Sequence, residues 1–274
     1  MNNLLKRIVI LLLLFCPMAS QAKKFKQEVI HSCTGEQVRI YSSAVTDTLR
    51  IFVIADTHLW LSDEREDPFR QYSKRMAAAY NETTHFKTGE KTNPEKAFRQ
   101  TVALAKAKNA DVIALLGDIV SYPSERAVEF VQEVMRESDI PYYYTCGNHD
   151  WHYEGMEGSS HELRKKWREE RLSQLFGKYD PVAYGVEHKG VRLLFFDTSN
   201  YEIEPRQLDF IRKEAKSGVP FILFQHIPLY APSRSVAYGI GHPKWGAAAD
   251  GGYQTERRNR WPEGHQKVDY DFYE

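Results

Sequence analysis

The chain has 274 residues, 42% of them hydrophobic, enough for a substantial core in one large domain or two small ones. Charged residues make up 27%, close to the globular average. Basic and acidic residues balance at 37 each, so the composition carries no nucleic-acid-binding footprint.

The first 22 residues read as a targeting segment. Lys6 and Arg7 form a basic start, Ile8 to Phe15 an apolar run, and Ser20-Gln21-Ala22 a small-residue cleavage site. The apolar run falls short of the roughly 20 residues of a membrane span, so no transmembrane anchor is expected in the mature chain. Export to the periplasm or beyond the cell follows. A lipoprotein signal at Cys16 is disfavoured, because Phe15 is bulky where a small residue is needed. Residues 23–274 are then the domain itself. Export permits a disulfide between Cys33 and Cys146. A small buried hydrophobe is the favoured reading of Cys146, which closes a strand.

A polar lead-in holds an edge strand near Gln37–Tyr41. Leu49–Ala55 is the first strong strand. The charged stretch that follows contains a short helix near Pro68–Tyr80. Asn93-Pro94 opens a helix running to about Lys108, with proline in its first turn. Val112–Leu116 is the next strand, and Ser124 caps a helix through Glu137. A strand follows Pro141, then an aromatic, glycine-rich loop over residues 151–160 and a charged helix near His161–Phe176. Val182–His188 and Val191–Asp197 form a hairpin about Lys189-Gly190. Pro205 starts a helix ending at Ser217-Gly218, with glycine as its cap. The strand Pro220–Gln225 runs into His226. An irregular stretch follows, and Val268–Glu274 looks like the opening of another helix.

Four apolar runs are closed by Asp56-Thr57-His58, Gly117-Asp118, Gly147-Asn148-His149-Asp150 and His226. Runs of that length between helices read as buried strands, and ligands gather at the carboxyl ends of such strands. Oxygen donors and imidazoles are thus delivered to one sheet edge, which is the pattern of a metal site. Donors of this kind, without thiolate, suit Mn²⁺, Fe or Zn²⁺ better than a structural zinc. Each motif alone is common by chance; their order and strand placement carry the signal.

As a set, the four blocks resemble the calcineurin-like metallophosphoesterase superfamily over most of residues 50–230. The resemblance implies an α/β fold of two packed mixed β-sheets flanked by helices. It implies that Asp56 and His58 hold a first metal, that Asp118 bridges two metals, and that Asn148 and His226 hold the second. His149 is implied as a catalytic group near the leaving oxygen and not as a ligand. The implied activity is hydrolysis of phosphate mono- or diesters by attack of a metal-bridging hydroxide, on small-molecule, lipid or nucleotide esters. A binding or scaffold protein on the same fold, with a degraded metal site, is the alternative.

Two departures bear on this. Many members carry an aspartate three residues after the bridging one, to orient the acidic histidine, and purple acid phosphatases carry an iron-binding tyrosine there. This chain has Ser121, with Tyr122 one position late, which argues against a purple acid phosphatase. Asp150 and Asp197 are the candidates for the missing carboxylate, although turn capping is the favoured role for Asp197. The family's closing G-H-x-H is also absent. Gly241-His242-Pro243 and Gly264-His265-Gln266 each supply one histidine, and neither follows an apolar strand. The expectation is a chain that continues beyond residue 274 to complete the ligand set. Two stretches are expected at the pocket rim, Leu59–Asn93 and Pro228–Trp261. The second offers Arg234, Arg257, Arg258 and Arg260 to phosphate oxygens. Trp151-His152-Tyr153 is a further candidate for the lining.

Overall fold

The structure is a computed structural model that describes residues 29–81, 83–85, 87–228 and 267–274. The expected leader, nearly all of the Pro228–Trp261 rim, His242 and His265 lie outside the described residues. The chain divides into two compact units, one ending at Ala44 and one beginning at Val45.

In the first unit, β1 (Val29–Thr34) and β2 (Gln37–Ser42) form an antiparallel hairpin. The strand expected near Gln37–Tyr41 is therefore present. Its partner is Val29–Thr34, a short and half-polar strand that the sequence pattern does not reveal. Cys33 is exposed and Cys146 buried, both as free thiols.

The second unit holds two three-stranded sheets. In the first, β3 (Ile51–Ile54), β4 (Val112–Leu116) and β5 (Tyr142–Thr145) run parallel with β4 central. The first four residues of β4 are buried, which is why it reads as an unbroken apolar run. In the second, β6 (Ala183–His188) and β7 (Val191–Phe196) are antiparallel, and β8 (Phe221–Gln225) runs parallel to β7. Lys189 and Gly190 both have positive φ, 48° and 76°, as a tight turn of the primed type requires. The second sheet is mixed as expected, whereas the first is wholly parallel. Helices supply both of its crossovers, so no strand has to reverse.

The sheets pack through one hydrophobic core that draws on both. The Tyr144 N–H donates to the Tyr184 hydroxyl at 3.0 Å, and that hydroxyl donates back to the Tyr144 carbonyl at 2.9 Å. Thr145 Oγ1 donates to the Phe196 carbonyl at 2.8 Å. Backbone groups facing the interior are thus satisfied from the opposite sheet.

A 3₁₀ turn (Glu64–Phe69) leads into α1 (Arg70–Ala79). The crossover helix α2 (Pro94–Ala107) starts as its sequence predicts: Asn93 Oδ1 accepts from Lys96 N at 2.8 Å, and Pro94 stands in the first turn. The other crossover, α3 (Glu125–Ser138), is capped by Ser124 and buries Val128, Val131, Val134 and Met135. The charged segment after residue 160 is not one helix. α4 (Ser160–Trp167) passes through a π turn (Arg168–Leu172) into α5 (Ser173–Phe176). The π turn puts residues five apart on one side, so Trp167 and Leu172 are both fully buried. α6 (Pro205–Lys216) begins in a capping box of Glu204 and Gln207. α7 (Lys267–Tyr273) sets Phe272 against Phe196, ring centroids 5.7 Å apart. Among the described residues no helix is long and apolar enough to cross a membrane.

Candidate metal centre

The loops that leave β3 and β4 are laced together by their backbones. Asp56 N donates to the Gly117 carbonyl at 3.1 Å, His58 N to the Asp118 carbonyl at 2.9 Å, and Leu59 N to the Ile119 carbonyl at 2.9 Å. Thr57 Oγ1 reaches the Ile119 carbonyl and Ser121 Oγ the His58 carbonyl, each at 2.8 Å. Asp56, His58 and Asp118 all have positive φ, 55°, 44° and 48°. That conformation costs a residue other than glycine about 1–2 kcal/mol, so the surrounding bonds must hold it in place.

Two glycines let the loops after β4 and β5 close. A Cβ on Gly117 would stand 2.5 Å from Gly147 N and 2.7 Å from His226 Cγ. A Cβ on Gly147 would overlap the backbone nitrogen and carboxylate of Asp118. Asp150, fully buried, accepts from Val120 N at 2.9 Å and from Gly147 N at 2.7 Å. It braces the two loops and does not reach the His149 ring. Burial and the nearby Asp118 charge raise its carboxyl to about 7.

Asp56, Asp118 and His226 each offer a ligand atom within 4.8 Å of the other two. His226 Nε2 lies 3.3 Å from Asp118 Oδ2, and its Nδ1 faces the Leu116 carbonyl at 2.8 Å. A carbonyl only accepts, so Nδ1 carries the hydrogen and Nε2 is the nitrogen turned to the site. His58 Nε2 is 3.9 Å from Asp118 Oδ2. The His149 N–H donates to Asp118 Oδ1 at 2.8 Å, and the His149 ring meets the His58 ring edge-on at 4.9 Å. Asn148 lines the same cavity. The six residues predicted from sequence thus share one place. Neither Asp150 nor Asp197 orients His149. Asp197 accepts from Ser199 N at 2.9 Å and from Arg168 Nη1 at 2.8 Å, which makes it a turn cap and an ion-pair partner.

The charges agree with a cation site. Burial disfavours the charged His226 imidazole, but the hydrogen bond and charge of Asp118 prevail and raise it to about 9. Burial likewise opposes ionisation of Asp118, and His226 outweighs it, holding the carboxyl below its ordinary range. Burial raises Asp56 and lowers His58. It also pushes His149 down to about 4, against the pull of Asp118. Without a cation the cluster therefore keeps a proton on His226 to balance Asp118. The set mixes carboxylate oxygens and imidazole nitrogens, the donors that Mn, Fe and Zn accept, so the residues present fit such an ion.

The cavity over this cluster has a volume of about 560 Å³. Of the rim expected from Leu59–Asn93, Arg75, Met76 and Tyr80 line it. Arg75 is ion-paired to Glu154, another lining residue. Trp151 and His152 line it as expected, whereas Tyr153 turns inward and donates to Glu66 Oε2 at 2.9 Å. Tyr122 is also directed elsewhere, its hydroxyl donating to the Trp60 carbonyl at 2.9 Å. The opposite wall is Ser199, Asn200 and Tyr201, which sequence reasoning missed. Their only signal is their place just after a strand end. Tyr80 falls within the expected Leu59–Asn93 rim, although nothing in the sequence singles it out within that stretch.

Beneath that wall lies an ionic network. Arg164, 3% exposed, donates to Asn200 Oδ1 at 2.8 Å and to Glu204 Oε1 at 2.5 Å, and sits 3.6 Å from Asp197. Trp151 Nε1 donates to Ser199 Oγ at 2.8 Å.

Among solved structures, a dimetal phosphatase from Danio rerio is similar at 14% identity and a TM-score of 0.44, over 66% of this chain and 70% of that one. The purple acid phosphatase PPD1 from yellow lupin (Lupinus luteus) seeds is similar at 14% identity and a TM-score of 0.42, over 72% of this chain and 34% of that one. Among curated proteins none matches. The family model described as calcineurin-like phosphoesterase matches residues 49–260, which spans all four motifs. The chain belongs to the calcineurin-like phosphoesterases.

Proposed function

We propose that the protein is an exported hydrolase of phosphate mono- or diesters that works with two metal ions. The observation that carries this reading is the convergence of Asp56, Asp118 and His226 within 4.8 Å at the carboxyl ends of three strands. Asp56 and His58 are assigned to one ion, Asn148 and His226 to the other, and Asp118 to both. Mn, Fe and Zn all suit this donor set. A bound pair of such ions supplies a nucleophile near neutral pH and neutralises charge on the phosphate.

The chain's own residues do the rest. Asp118, held by the His149 N–H, presents its second oxygen to the site. His226 is fixed by the Leu116 carbonyl with Nε2 forward. His149 is assigned to the leaving oxygen, where a proton is needed as the ester bond breaks. Arg75, on the cavity rim, is a cation available to a phosphate oxygen once it leaves Glu154.

The test is one panel. The protein is loaded with Mn²⁺, Fe²⁺ or Zn²⁺ and offered mono- and diesters in parallel. Hydrolysis with at least one metal, lost with chelator, supports the reading. Metal uptake without hydrolysis of any ester would mean a binding protein on the same fold. Export rests on the basic and apolar leader, and a mature protein starting at Lys23 is the outcome that supports it.

A further inference from the structure

We propose that Tyr80 is a second catalytic residue, whose hydroxyl gives its proton to the leaving group with His149 as its hydrogen-bond partner; this rests on the hydrolase reading above. Tyr80 follows the last residue of α1 and lines the cavity. Its ring is stacked on His58, centroids 4.0 Å apart and planes 10° from parallel. It meets His149 edge-on at 4.9 Å. Its hydroxyl stands 3.3 Å from His149 Nε2.

The other nitrogen of His149 is closed off. Nδ1 is buried and has no partner among the described residues. Any proton that His149 exchanges with a ligand in the cavity must therefore travel by Nε2. The Tyr80 hydroxyl already occupies the hydrogen-bonding position at that atom. A phenol is both donor and acceptor. It can accept from Nε2–H while donating to an oxygen in the cavity. The stack on His58 sets the ring plane.

Atoms and electrons balance through the step. The P–O bond to the leaving group breaks, and its electron pair goes to the departing oxygen. That oxygen takes the Tyr80 proton. The Tyr80 phenolate that remains is held by His149 Nε2–H and takes a proton back from solvent, and His149 keeps its own proton throughout.

The experiment compares wild type with Tyr80→Phe, which keeps the stack and removes only the hydroxyl. Both are assayed on p-nitrophenyl, phenyl and alkyl esters of whichever phosphate type the wild type hydrolyses. A p-nitrophenolate leaves without a proton and an alkoxide does not. Tyr80→Phe is expected to stay within about threefold of wild type on the nitrophenyl ester and to fall about 10²-fold on the alkyl ester, with metal content unchanged. A loss equal across the three esters, or none on any, overturns the proposal. A second measurement needs neither metal nor turnover. In the metal-free protein the ¹⁵N resonance of His149 Nε2 is expected to move on Tyr80→Phe, and an unmoved resonance overturns the contact itself. A wild type that hydrolyses no ester with any metal removes the hydrolase reading and this one with it. An active wild type with a flat leaving-group profile removes only this one.

Discussion

The two sheets hold their side of the cavity by different means. On the parallel sheet, the loops carrying Asp56, His58 and Asp118 are joined backbone to backbone and by short hydroxyls, and the loop carrying Asn148 closes on them through the Asp150 and Asp118 carboxylates and glycines with no room for a side chain. On the mixed sheet, the wall of Ser199, Asn200 and Tyr201 rests on Arg164, Arg168, Asp197 and Glu204. Backbone lacing fixes atoms closely and leaves little that can adjust. Ion pairs between long side chains tolerate small shifts but cost much when one partner is lost. The ligand side should therefore respond to substitution through metal binding, and the wall side through stability.

The sharpest test is Asp118→Asn. It keeps an oxygen for the His149 N–H and removes the charge. Bound metal should be lost and kcat/KM should fall by about 10³-fold or more, several kcal/mol of transition-state stabilisation. Metal analysis beside steady-state kinetics reads both. On the wall, Asp197→Ala leaves the Arg168 guanidinium, its side chain 10% exposed, without its buried carboxylate partner. The expected cost is about 3–5 kcal/mol of stability, read by denaturant melts, with the metal content of the folded fraction unchanged. Metal loss in a still-folded Asp197→Ala protein would break the division between the two sides.

Chelation comes next in size. An ion present at 100 times its dissociation constant adds about 2.7 kcal/mol to the folded state. Chelator should therefore lower the melting temperature of wild type and of Asp197→Ala alike. It should leave Asp118→Asn where it was. A chelator-sensitive Asp118→Asn protein would place the strongest metal contact elsewhere.

The same contrast explains what is legible in the sequence. Strands β3, β4, β5 and β8 are apolar runs of ordinary length, and each candidate ligand lies within three residues of the end of a run, so Asp56, Asp118, Asn148 and His226 are readable with no knowledge of contacts. The Lys189-Gly190 turn is readable because its two-residue length admits few conformations. The ionic network is not. Arg164 and Asp197 are 33 positions apart, and Arg164 sits in a segment whose charge reads as a solvated face. The π turn that buries Trp167 and Leu172 breaks helical periodicity, so no 3.6-residue pattern announces it. Asp150 reads as a partner for the adjacent histidine. Its real partners, Val120 N and Gly147 N, depend on how two loops meet. The parallel character of the first sheet is hidden for a related reason, since strand direction is set by crossovers and not by side-chain pattern.

The smallest effects separate two uses of glycine, one on each side. Gly147 has no positive φ, and its Cβ position is filled by Asp118. Gly147→Ala must push that carboxylate aside, an overpacking cost of about 1–3 kcal/mol, and weaker metal binding should accompany the lower melting temperature. Gly190 is the reverse case, with φ at 76° and nothing within 4 Å of the point where a Cβ would stand. Gly190→Ala should cost only the left-handed conformation, about 1 kcal/mol, and Gly190→Asn less, because asparagine enters that region more readily. Neither Gly190 variant should change metal content. If both glycines gave the same pair of readouts, space at Gly147 would not be what holds Asp118 in register, and the backbone account of the ligand side would have to yield to a side-chain one.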